Sequence, residues 1–346
     1  MTEADAALVQ LVEALKQRGY RFVTPTPATH ARVVKRSDRQ EARDLADMLG
    51  WSLPFTPAQI DAGLFALLEA GEAVETVGNG RFRSRLRASS LKDNLYLHSA
   101  YPTDAENSVF FGPDSYRFAD LIEAELTTAG VADGAVIVDI GTGAGVGAIV
   151  AARSCPTARL WVTDVNPDAL RLAAVNAKAA GVTVTAVESA TLDSIAESID
   201  LALANPPYII DDDARTYRDG GGMFGGQVSL DMARMAVRRL APGGRLILYT
   251  GSAIVRGEDL LGKALAGLAE AEGCALRYRE IDPDVFGEEL ERPAYAEVDR
   301  IAVVAAIFTK ARPSRGPAAP RYSGVALFAA GAAEARARLS AEMRSA

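Results

Sequence analysis

The chain has 346 residues, of which 49% are hydrophobic and 24% charged, and its net charge is -8. This ordinary globular composition excludes wholesale disorder, the length favours two domains, and the negative charge argues against indiscriminate nucleic-acid binding. Two cysteines and two histidines argue against a zinc cluster or a histidine-based catalytic triad. The longest apolar run, residues 301–308, is too short to span a bilayer, and the first residues are acidic. We therefore expect a cytoplasmic protein with no metal and no membrane span.

The first 109 residues predict a small accessory domain of helices followed by a β-hairpin. Apolar residues at helical spacing indicate helices over residues 8–15, 39–49 and 56–68, the last opened by a Thr-Pro-Ala-Gln capping box. Strand-like residues 73–77 and 81–87 flank a Gly-Asn-Gly turn, which favours a hairpin. Helices followed by a hairpin resemble a winged helix, so we predict a winged-helix-like domain that serves substrate recognition.

The second strand of this hairpin carries four alternating arginines, Arg81, Arg83, Arg85 and Arg87. A period of two places alternate side chains on one face of a strand, so the four guanidinium groups are expected to lie together. Such a face suits contacts with nucleic-acid phosphates, although charges are also typical of an edge strand protected from pairing. Both interpretations stay open from the sequence.

Residues 110–310 alternate strand-like and helical segments with short turns between them. Strands are predicted over residues 135–140, 158–164, 182–187, 201–204, 245–250, 275–281 and 301–308. Helices are predicted over residues 114–128, 145–154, 167–180, 229–240 and 257–272. Regular alternation of this kind indicates an α/β domain with a doubly wound, mainly parallel sheet. Residues 311–346 predict a basic, proline-rich linker and then a short helix.

A glycine-rich turn follows the first strand of this block and predicts a cofactor site. Glycines let the backbone of residues 139–147, Asp-Ile-Gly-Thr-Gly-Ala-Gly-Val-Gly, turn tightly and approach a ligand closely. The next strand ends at Asp164, where a carboxylate can accept hydrogen bonds from both hydroxyls of a ribose. The sequence therefore predicts a ligand that contains an adenosine ribose.

Two cofactors and one purely structural role are compatible with this turn. A dinucleotide requires Gly-x-Gly-x-x-Gly/Ala, which Gly143, Gly145 and Ala148 satisfy loosely. S-adenosylmethionine instead favours an acidic residue just before the turn, as Asp139 is, to attract the cationic methionyl group. A glycine turn used only for packing is the third interpretation.

The fourth strand ends in the motif Asn205-Pro206-Pro207-Tyr208. Two prolines stiffen the backbone, so that the side-chain carbonyl of Asn205 and the backbone carbonyl of Pro206 can hold both hydrogens of an –NH₂ group. The lone pair of the nitrogen is then aimed at an electrophilic methyl group, and Tyr208 offers a flat face to a planar acceptor. Alone, the motif would more simply be a turn after a buried strand; behind the glycine turn and Asp164, it favours catalysis.

These motifs together resemble a known family. Residues 110–310 are similar to class I S-adenosylmethionine-dependent methyltransferases of the Asn-Pro-Pro-Tyr group, which includes HemK/PrmC-like glutamine N5-methyltransferases and amino-methyltransferases of DNA and RNA bases. Within that group, Gly112–Phe118, Met223–Gly226 and Leu240–Arg245 resemble the glutamine-modifying branch. The resemblance implies S-adenosylmethionine as cofactor and seven strands in the order 3-2-1-4-5-7-6, the last antiparallel.

The resemblance also implies roles for individual residues. It implies that the segment 114–118 caps the cofactor, and that an acidic residue after the third strand binds the adenine, where this chain has Glu188 followed by Ser189. The expected cofactor-binding residues are Asp139, Gly141, Thr142, Gly143, Gly145, Asp164, Val165, Glu188, Ser189 and Asn205. The expected catalytic residues are Asn205, Pro206 and Tyr208. The expected substrate-binding residues are Pro207, Tyr208 and Tyr116.

The acceptor of the methyl group stays open from the sequence. A protein glutamine is favoured by the glutamine-methyltransferase-like segments and the acidic charge, although the first 100 residues do not resemble the helical bundle of release-factor methyltransferases. The arginine-bearing hairpin and the basic linker favour an RNA or DNA base, and a small-molecule amine is a third candidate. Outside the methyltransferases, the alternatives are a winged-helix regulator that senses an adenine nucleotide without catalysis, and a dehydrogenase.

Overall fold

The computed structural model describes residues 1–211, 215 and 217–312. Its N-terminal part consists of short helices and two β-hairpins. Its helices are α1 (Glu3–Gln17), α2 (Pro27–Val34), α3 (Leu45–Leu49) and α4 (Ala62–Ala70). Its strands are β1 (Val74–Gly78), β2 (Arg81–Ser84), β3 (Leu86–Leu91) and β4 (Asn94–Ser99), paired as β1 with β2 and β3 with β4. Helix α2 and the second hairpin were not predicted, and the winged-helix likeness stays a prediction.

Local capping decides where these helices begin. The helix predicted over residues 8–15 is confirmed as α1, but the one predicted over 39–49 is only α3, because the Asp44 side chain accepts a hydrogen bond from the Asp47 N–H and starts the helix there. The Thr56 capping box closes a single 3-10 turn, Pro57–Gln59. Ile60 then has extended backbone angles, and α4 starts anew after Asp61.

The prediction of an arginine stripe on one face of a strand is wrong. Strand β2 ends at Ser84 and β3 starts at Leu86, so Arg85 lies between two strands of different sheets. Arg87 is on β3 and only 4% exposed, and its Nε donates to the Ser99 carbonyl. The four guanidinium groups therefore do not share one face, and Arg87 is not available to a phosphate backbone.

The rest of the described chain forms the α/β sheet. Its helices are α5 (Pro113–Thr128), α6 (Val146–Ser154), α7 (Pro167–Ala179), α8 (Gln227–Arg239) and α9 (Leu260–Ala271). Its strands are β5 (Val136–Ile140), β6 (Arg159–Asp164), β7 (Thr185–Glu188), β8 (Ile199–Ala204), β9 (Leu240–Val255), β10 (Glu258–Asp259), β11 (Cys274–Asp282) and β12 (Val298–Lys310). The predicted strands and helices of this part are confirmed, with shifts at their ends.

The strand order confirms the topology that the resemblance implied. The strands lie in the order β7-β6-β5-β8-β9-β12-β11, and the short β10 pairs with the end of β9. Pairs from β7 to β9 are parallel, whereas β12 runs antiparallel to both of its neighbours. Counted along the seven main strands, this is 3-2-1-4-5-7-6 with the last strand antiparallel. Ligands of such sheets bind at the carboxyl ends of the parallel strands.

Helices cover both faces of this sheet, and the N-terminal part extends one of the two cores. Ile137 packs with residues of α5, α6 and α7, whereas its neighbour Val138 packs with residues of α8 and α9, because side chains alternate along a strand. The core around Ile137 continues into the apolar face of α1, for example at Leu11. Residues 1–311 thus form one compact unit. The domain boundary at residue 110 stays a prediction.

A buried amide joins the N-terminal part to the sheet. Asn176 on α7 is fully buried, and its Oδ1 accepts from the Leu97 N–H of β4 at 2.8 Å. Its Nδ2 donates to the carbonyl of Leu97 at 2.9 Å and to that of Ala144 at 2.9 Å. Ala144 belongs to the glycine turn after β5, so one side chain couples that turn to the second hairpin.

The predicted linker and C-terminal helix fall beyond residue 312, outside the described residues. In the part that is described, no helix combines the length and the apolar character needed to cross a membrane. Nor do three or more histidine, cysteine or acidic side chains gather there in a way that could hold a metal ion.

Candidate active site

A cavity of about 590 Å³ opens at the carboxyl ends of the parallel strands. Its volume lies within the range of ~300–1,000 Å³ that is usual for small-molecule sites. Residues predicted from the sequence line much of it: Asp139, Gly141, Thr142, Gly143, Asp164, Val165, Ser189, Asn205 and Pro207. The structure therefore brings the ends of β5, β6, β7 and β8 to one site.

The glycine turn between β5 and α6 forms one wall of the cavity. Gly141, Gly143 and Gly145 all have left-handed backbone angles, with φ of 65°, 53° and 85°, which side-chain-bearing residues rarely adopt. Gly145 does not line the cavity. A Cβ there would lie 3.2 Å from the Cα of Ala173, so this glycine allows α6 and α7 to approach each other.

Asp139 is the buried carboxyl group of the site, with 2% exposure. Its Oδ2 accepts hydrogen bonds from the Thr142 hydroxyl at 2.7 Å and from the Ala148 N–H at 3.0 Å. Burial raises the pKa of Asp139 to about 7, and the nearby carboxyl of Asp164 pushes it in the same direction. A cation bound in the cavity would favour the ionised form of this group.

Asp164 ends β6 and faces the glycine turn. Its Oδ2 accepts from the Gly143 N–H at 3.0 Å, and its Oδ1 accepts from the Asn166 N–H at 2.9 Å. Burial raises the pKa of this carboxyl above its usual value, against the effect of these hydrogen bonds. The carboxylate is therefore fixed in orientation while it still lines the cavity.

The Asn-Pro-Pro-Tyr turn separates this cavity from a smaller one of about 80 Å³. Asn205 and Pro207 line both cavities, as do two aromatic residues, Phe110 and Tyr217, whose rings stack at 6.5 Å with an angle of 11°. The small cavity is further lined by Pro206, Tyr208, Asp114 and Phe286, among others. A group in the small cavity would thus meet a ligand in the large one at Asn205.

Tyr208 is held through its hydroxyl group by a buried carboxyl. The Tyr208 hydroxyl donates to Asp114 Oδ2 at 2.8 Å, and the Tyr249 hydroxyl of β9 donates to Asp114 Oδ1 at 2.8 Å. Asp114 lies in the first turn of α5, where the helix dipole favours a negative charge, and Arg117 is 3.8 Å away. Burial nevertheless raises the pKa of Asp114.

The ring of Tyr208 is held as well. One side packs against Gly251 of β9, where a Cβ would lie 2.0 Å from the Tyr208 Cδ2. Phe286 meets the ring edge-on, with centroids 5.9 Å apart and an angle of 65°. Gly251, Phe286 and Asp114 therefore leave the ring little freedom to turn.

A match to a protein family decides what this arrangement is. The family described as "Methyltransferase small domain" matches residues 119–271, which contain the glycine turn, Asp164 and the Asn-Pro-Pro-Tyr motif. The chain is an S-adenosylmethionine-dependent methyltransferase. This confirms the resemblance noted from the sequence, and it favours methyl transfer over the non-catalytic sensor and the dehydrogenase.

Curated relatives of this methyltransferase share one name. "Release factor glutamine methyltransferase" from Cereibacter sphaeroides is 29% identical over 270 residues, which are 72% of this chain and 89% of the relative. The protein of that name from Moorella thermoacetica is 33% identical over 183 residues, 49% of this chain and 62% of the relative. Three further relatives of that name are covered over only 44% to 54% of their length. Among solved structures, Trm5b from Pyrococcus abyssi aligns with 71% of this chain and 67% of its own at a TM-score of 0.46 and 16% identity.

The cavity fits the cofactor of this methyltransferase, S-adenosylmethionine. Two carboxyl groups, Asp139 and Asp164, suit a ligand that carries positive charge and ribose hydroxyls. Ser189 and Thr191 add hydroxyl groups at the end of β7, and Phe118 and Val165 add apolar surface for a planar base. The volume of the cavity and the chemistry of its lining residues therefore both suit S-adenosylmethionine.

Some predicted residues lie elsewhere in the methyltransferase. Glu188 is exposed and does not line either cavity. Tyr116, predicted to bind substrate, instead packs edge-to-face against Phe111, and its hydroxyl accepts from the Thr24 N–H at 3.0 Å. From the same turn of α5, Ser115 and Phe118 do line the cofactor cavity, because side chains one position apart on a helix face different ways.

Sequence reasoning missed the residues that complete the acceptor side. Phe286 comes from the connection between β11 and β12, and Tyr295 of the same connection accepts from the Ile210 N–H at 2.7 Å. Phe110 and Tyr217 come from two further loops. The residues 107–110 also reach across the cofactor cavity, where Asn166 Nδ2 donates to the Asn107 carbonyl at 2.8 Å. Only the aromatic character of these loop positions could have indicated them.

Proposed function

We propose that this methyltransferase transfers a methyl group to the side-chain amide of a glutamine in a protein. The observation that carries this is the size of the small cavity beside Asn205. Its volume of about 80 Å³ is a small fraction of the about 590 Å³ of the cofactor cavity. A cavity of this size beside Asn205 suits a compact acceptor such as a carboxamide. The shared name of the curated relatives supports the same acceptor.

Two carboxylates and the glycine turn are proposed to hold the cofactor. Asp164 accepts hydrogen bonds from the ribose, and Asp139, once ionised, attracts the cationic methionyl part. Ser189 is proposed to contact the adenine in place of Glu188, because only Ser189 lines the cavity. When bound, the cofactor supplies an electrophilic methyl group on a positively charged sulfur.

Asn205 and Pro206 are proposed to orient the acceptor. Their carbonyl oxygens accept both hydrogens of the amide nitrogen, which aims the nitrogen lone pair at the cofactor cavity. As the nitrogen gains positive charge during transfer, the same two dipoles stabilise that charge without having to reorient. Because Pro206 is buried and both prolines stiffen the turn, the acceptors keep their positions.

Tyr208 and its partners are proposed to keep the acceptor amide planar against the turn. The ring offers the face that does not pack on Gly251, and its hydroxyl is held by Asp114. Asp114 acts here as a positioning residue, because it binds Tyr208 and Tyr249 at once and so ties the turn to β9. Pro207, Phe110 and Tyr217 close the sides and exclude water from a poorly nucleophilic amide.

The test is methyl transfer from radiolabelled S-adenosylmethionine. We would offer two peptides that differ only in Gln or Glu at one position, and in parallel rRNA, tRNA and DNA. Label should enter the Gln peptide, fail to enter the Glu peptide, and disappear with the Asn205→Ala variant. Label that enters only a nucleic acid, and is lost on nuclease treatment, would overturn the glutamine assignment.

A further inference from the structure

Helix α2 starts at the small cavity beside Asn205, which we call the acceptor cavity. Pro27, its first residue, lines the small cavity together with Asn205 and Tyr208. The inner face of the helix is fixed: His30 is fully buried, its Nε2 lies 3.0 Å from the Trp51 carbonyl oxygen, and its ring stacks at 4.0 Å on another aromatic ring. The outer face of α2 is therefore held in one orientation next to the site of methyl transfer.

That outer face is basic. Arg32, Lys35 and Arg36 are exposed: Arg32 lies on α2, Lys35 caps its C-terminal end, and Arg36 is the next residue. Residues 27–36 contain no aspartate or glutamate. Across the described ranges, none of these three cations forms an ion pair.

Other arginines of the N-terminal part have acidic partners. Arg39 and Arg43 both pair with Asp47, and Arg81 pairs with Glu41. The helix dipole stabilises cations at the end of α2, but it does not require three of them without a counter-charge. In a chain of net charge -8, this leaves a concentration of unpaired positive charge beside the acceptor cavity.

We infer that the exposed face of α2 and its C-terminal end, formed by Arg32, Lys35 and Arg36, dock an acidic segment of the acceptor protein beside its target glutamine. This inference rests on the proposed function. Opposite charge selects the partner, and the small cavity disfavours a nucleic acid as the molecule that presents both charge and acceptor.

Helix geometry sets where the acidic residues should lie. At ~1.5 Å per residue, Arg32 and the helix end at Lys35 lie about 8 and 12 Å from Pro27 along the helix. An extended peptide advances ~3.3 Å per residue. Aspartate or glutamate about two to four residues from the glutamine, on one side of it, therefore matches the basic face of α2.

The test uses the full chain, a triple variant and a matched control. The triple variant is Arg32→Ala, Lys35→Ala and Arg36→Ala; the control, Arg153→Ala, Lys178→Ala and Lys263→Ala, removes the same charge from α6, α7 and α9. One glutamine peptide carries three acidic residues at the matching positions, and a second carries serine there. Cofactor binding and thermal unfolding verify that both variants fold.

For the wild type and the control, KM for the acidic peptide should be about tenfold lower than for the serine peptide, with equal kcat and with the difference lost at high salt. The triple variant should lose this preference while its kcat and its KM for the serine peptide stay unchanged. Equal KM values in the wild type, or the same loss in the control, would overturn the inference.

Direct binding separates this inference from the proposed function. A fluorescent acidic peptide with alanine in place of glutamine should bind the wild type and the control but not the triple variant, as anisotropy measures. If this pattern holds while no glutamine peptide is methylated, the docking face stands and the glutamine assignment fails. If the triple variant instead loses only binding of RNA, the partner is a nucleic acid and the inference is wrong.

Discussion

A methyl group added at Gly251 tests whether the packing of the Tyr208 ring against β9 matters for catalysis. In the variant Gly251→Ala, the new Cβ would lie 2.0, 2.4 and 2.8 Å from three carbons of the ring. Ordinary contact begins at 3.4 Å, so the nearest pair is about 1.4 Å too close. The strand at Gly251 is central and buried, and the ring must therefore move toward the acceptor cavity.

The expected effect follows from that displacement. Overpacking a buried site costs about 1–3 kcal/mol of unfolding free energy. A shift of ~1 Å in a group that positions a reactant costs about 100-fold in rate, so kcat should fall by about that factor. Affinity for the cofactor should stay near that of the wild type, because Gly251 and Tyr208 do not line the larger cavity.

The assay combines chemical denaturation, calorimetric titration with S-adenosylhomocysteine and kinetics with the glutamine peptide. Gly267→Ala is the matched control, since no atom lies within 4 Å of its added Cβ and helix α9 should gain about 0.5–1 kcal/mol. Wild-type kcat in Gly251→Ala, at unchanged stability, would refute the idea that this strand positions the tyrosine.

Three further predictions concern the cofactor side and the buried carboxyl groups. Asn205→Ala should abolish turnover and leave cofactor affinity near normal, whereas Asp164→Ala should mainly weaken cofactor binding. Calorimetry and kinetics on both variants check this. The reverse pattern would contradict the assigned roles. Burial raises the pKa of Asp139 to about 7, so this carboxyl group must lose its proton before a cationic ligand binds. Affinity for S-adenosylmethionine should therefore rise up to tenfold per pH unit below about pH 7 and level off above it. The variant Asp139→Asn should flatten this profile. Tyr249→Phe removes one of the two hydroxyl donors to Asp114 and should lower the unfolding free energy by about 1–3 kcal/mol; an unchanged denaturation midpoint would show that this hydrogen bond contributes nothing.

The sheet and the cofactor residues could be predicted because their signals are local. Strands buried on both faces form continuous apolar runs, as residues 135–138 and 201–204 do. Their alternation with helices indicates a parallel sheet. Asp139 and Asn205 follow such runs and Asp164 ends β6, so their convergence at one edge follows from the topology alone.

The acceptor side could not be predicted because it is built from distant loops. Phe286 contacts Tyr208 only after β11 and β12 have paired, and nothing near Phe286 in the sequence marks it. Tyr116 shows the opposite error: the resemblance placed the right helix at the site, but the direction of one side chain depends on how α5 is rotated. Arg87 was misplaced because a break between β2 and β3 changes the face of every later residue.

The Asn176 side chain has a consequence for how this enzyme can change during evolution. One buried amide binds both the second hairpin and the glycine turn. The N-terminal part therefore cannot be exchanged for another domain without loosening this turn, which lines the cofactor cavity. New acceptors are therefore more accessible through substitutions on exposed surfaces, such as the outer face of α2, than through recombination of whole domains. The N-terminal part loses modularity through this coupling and in return keeps a fixed position relative to the glycine turn.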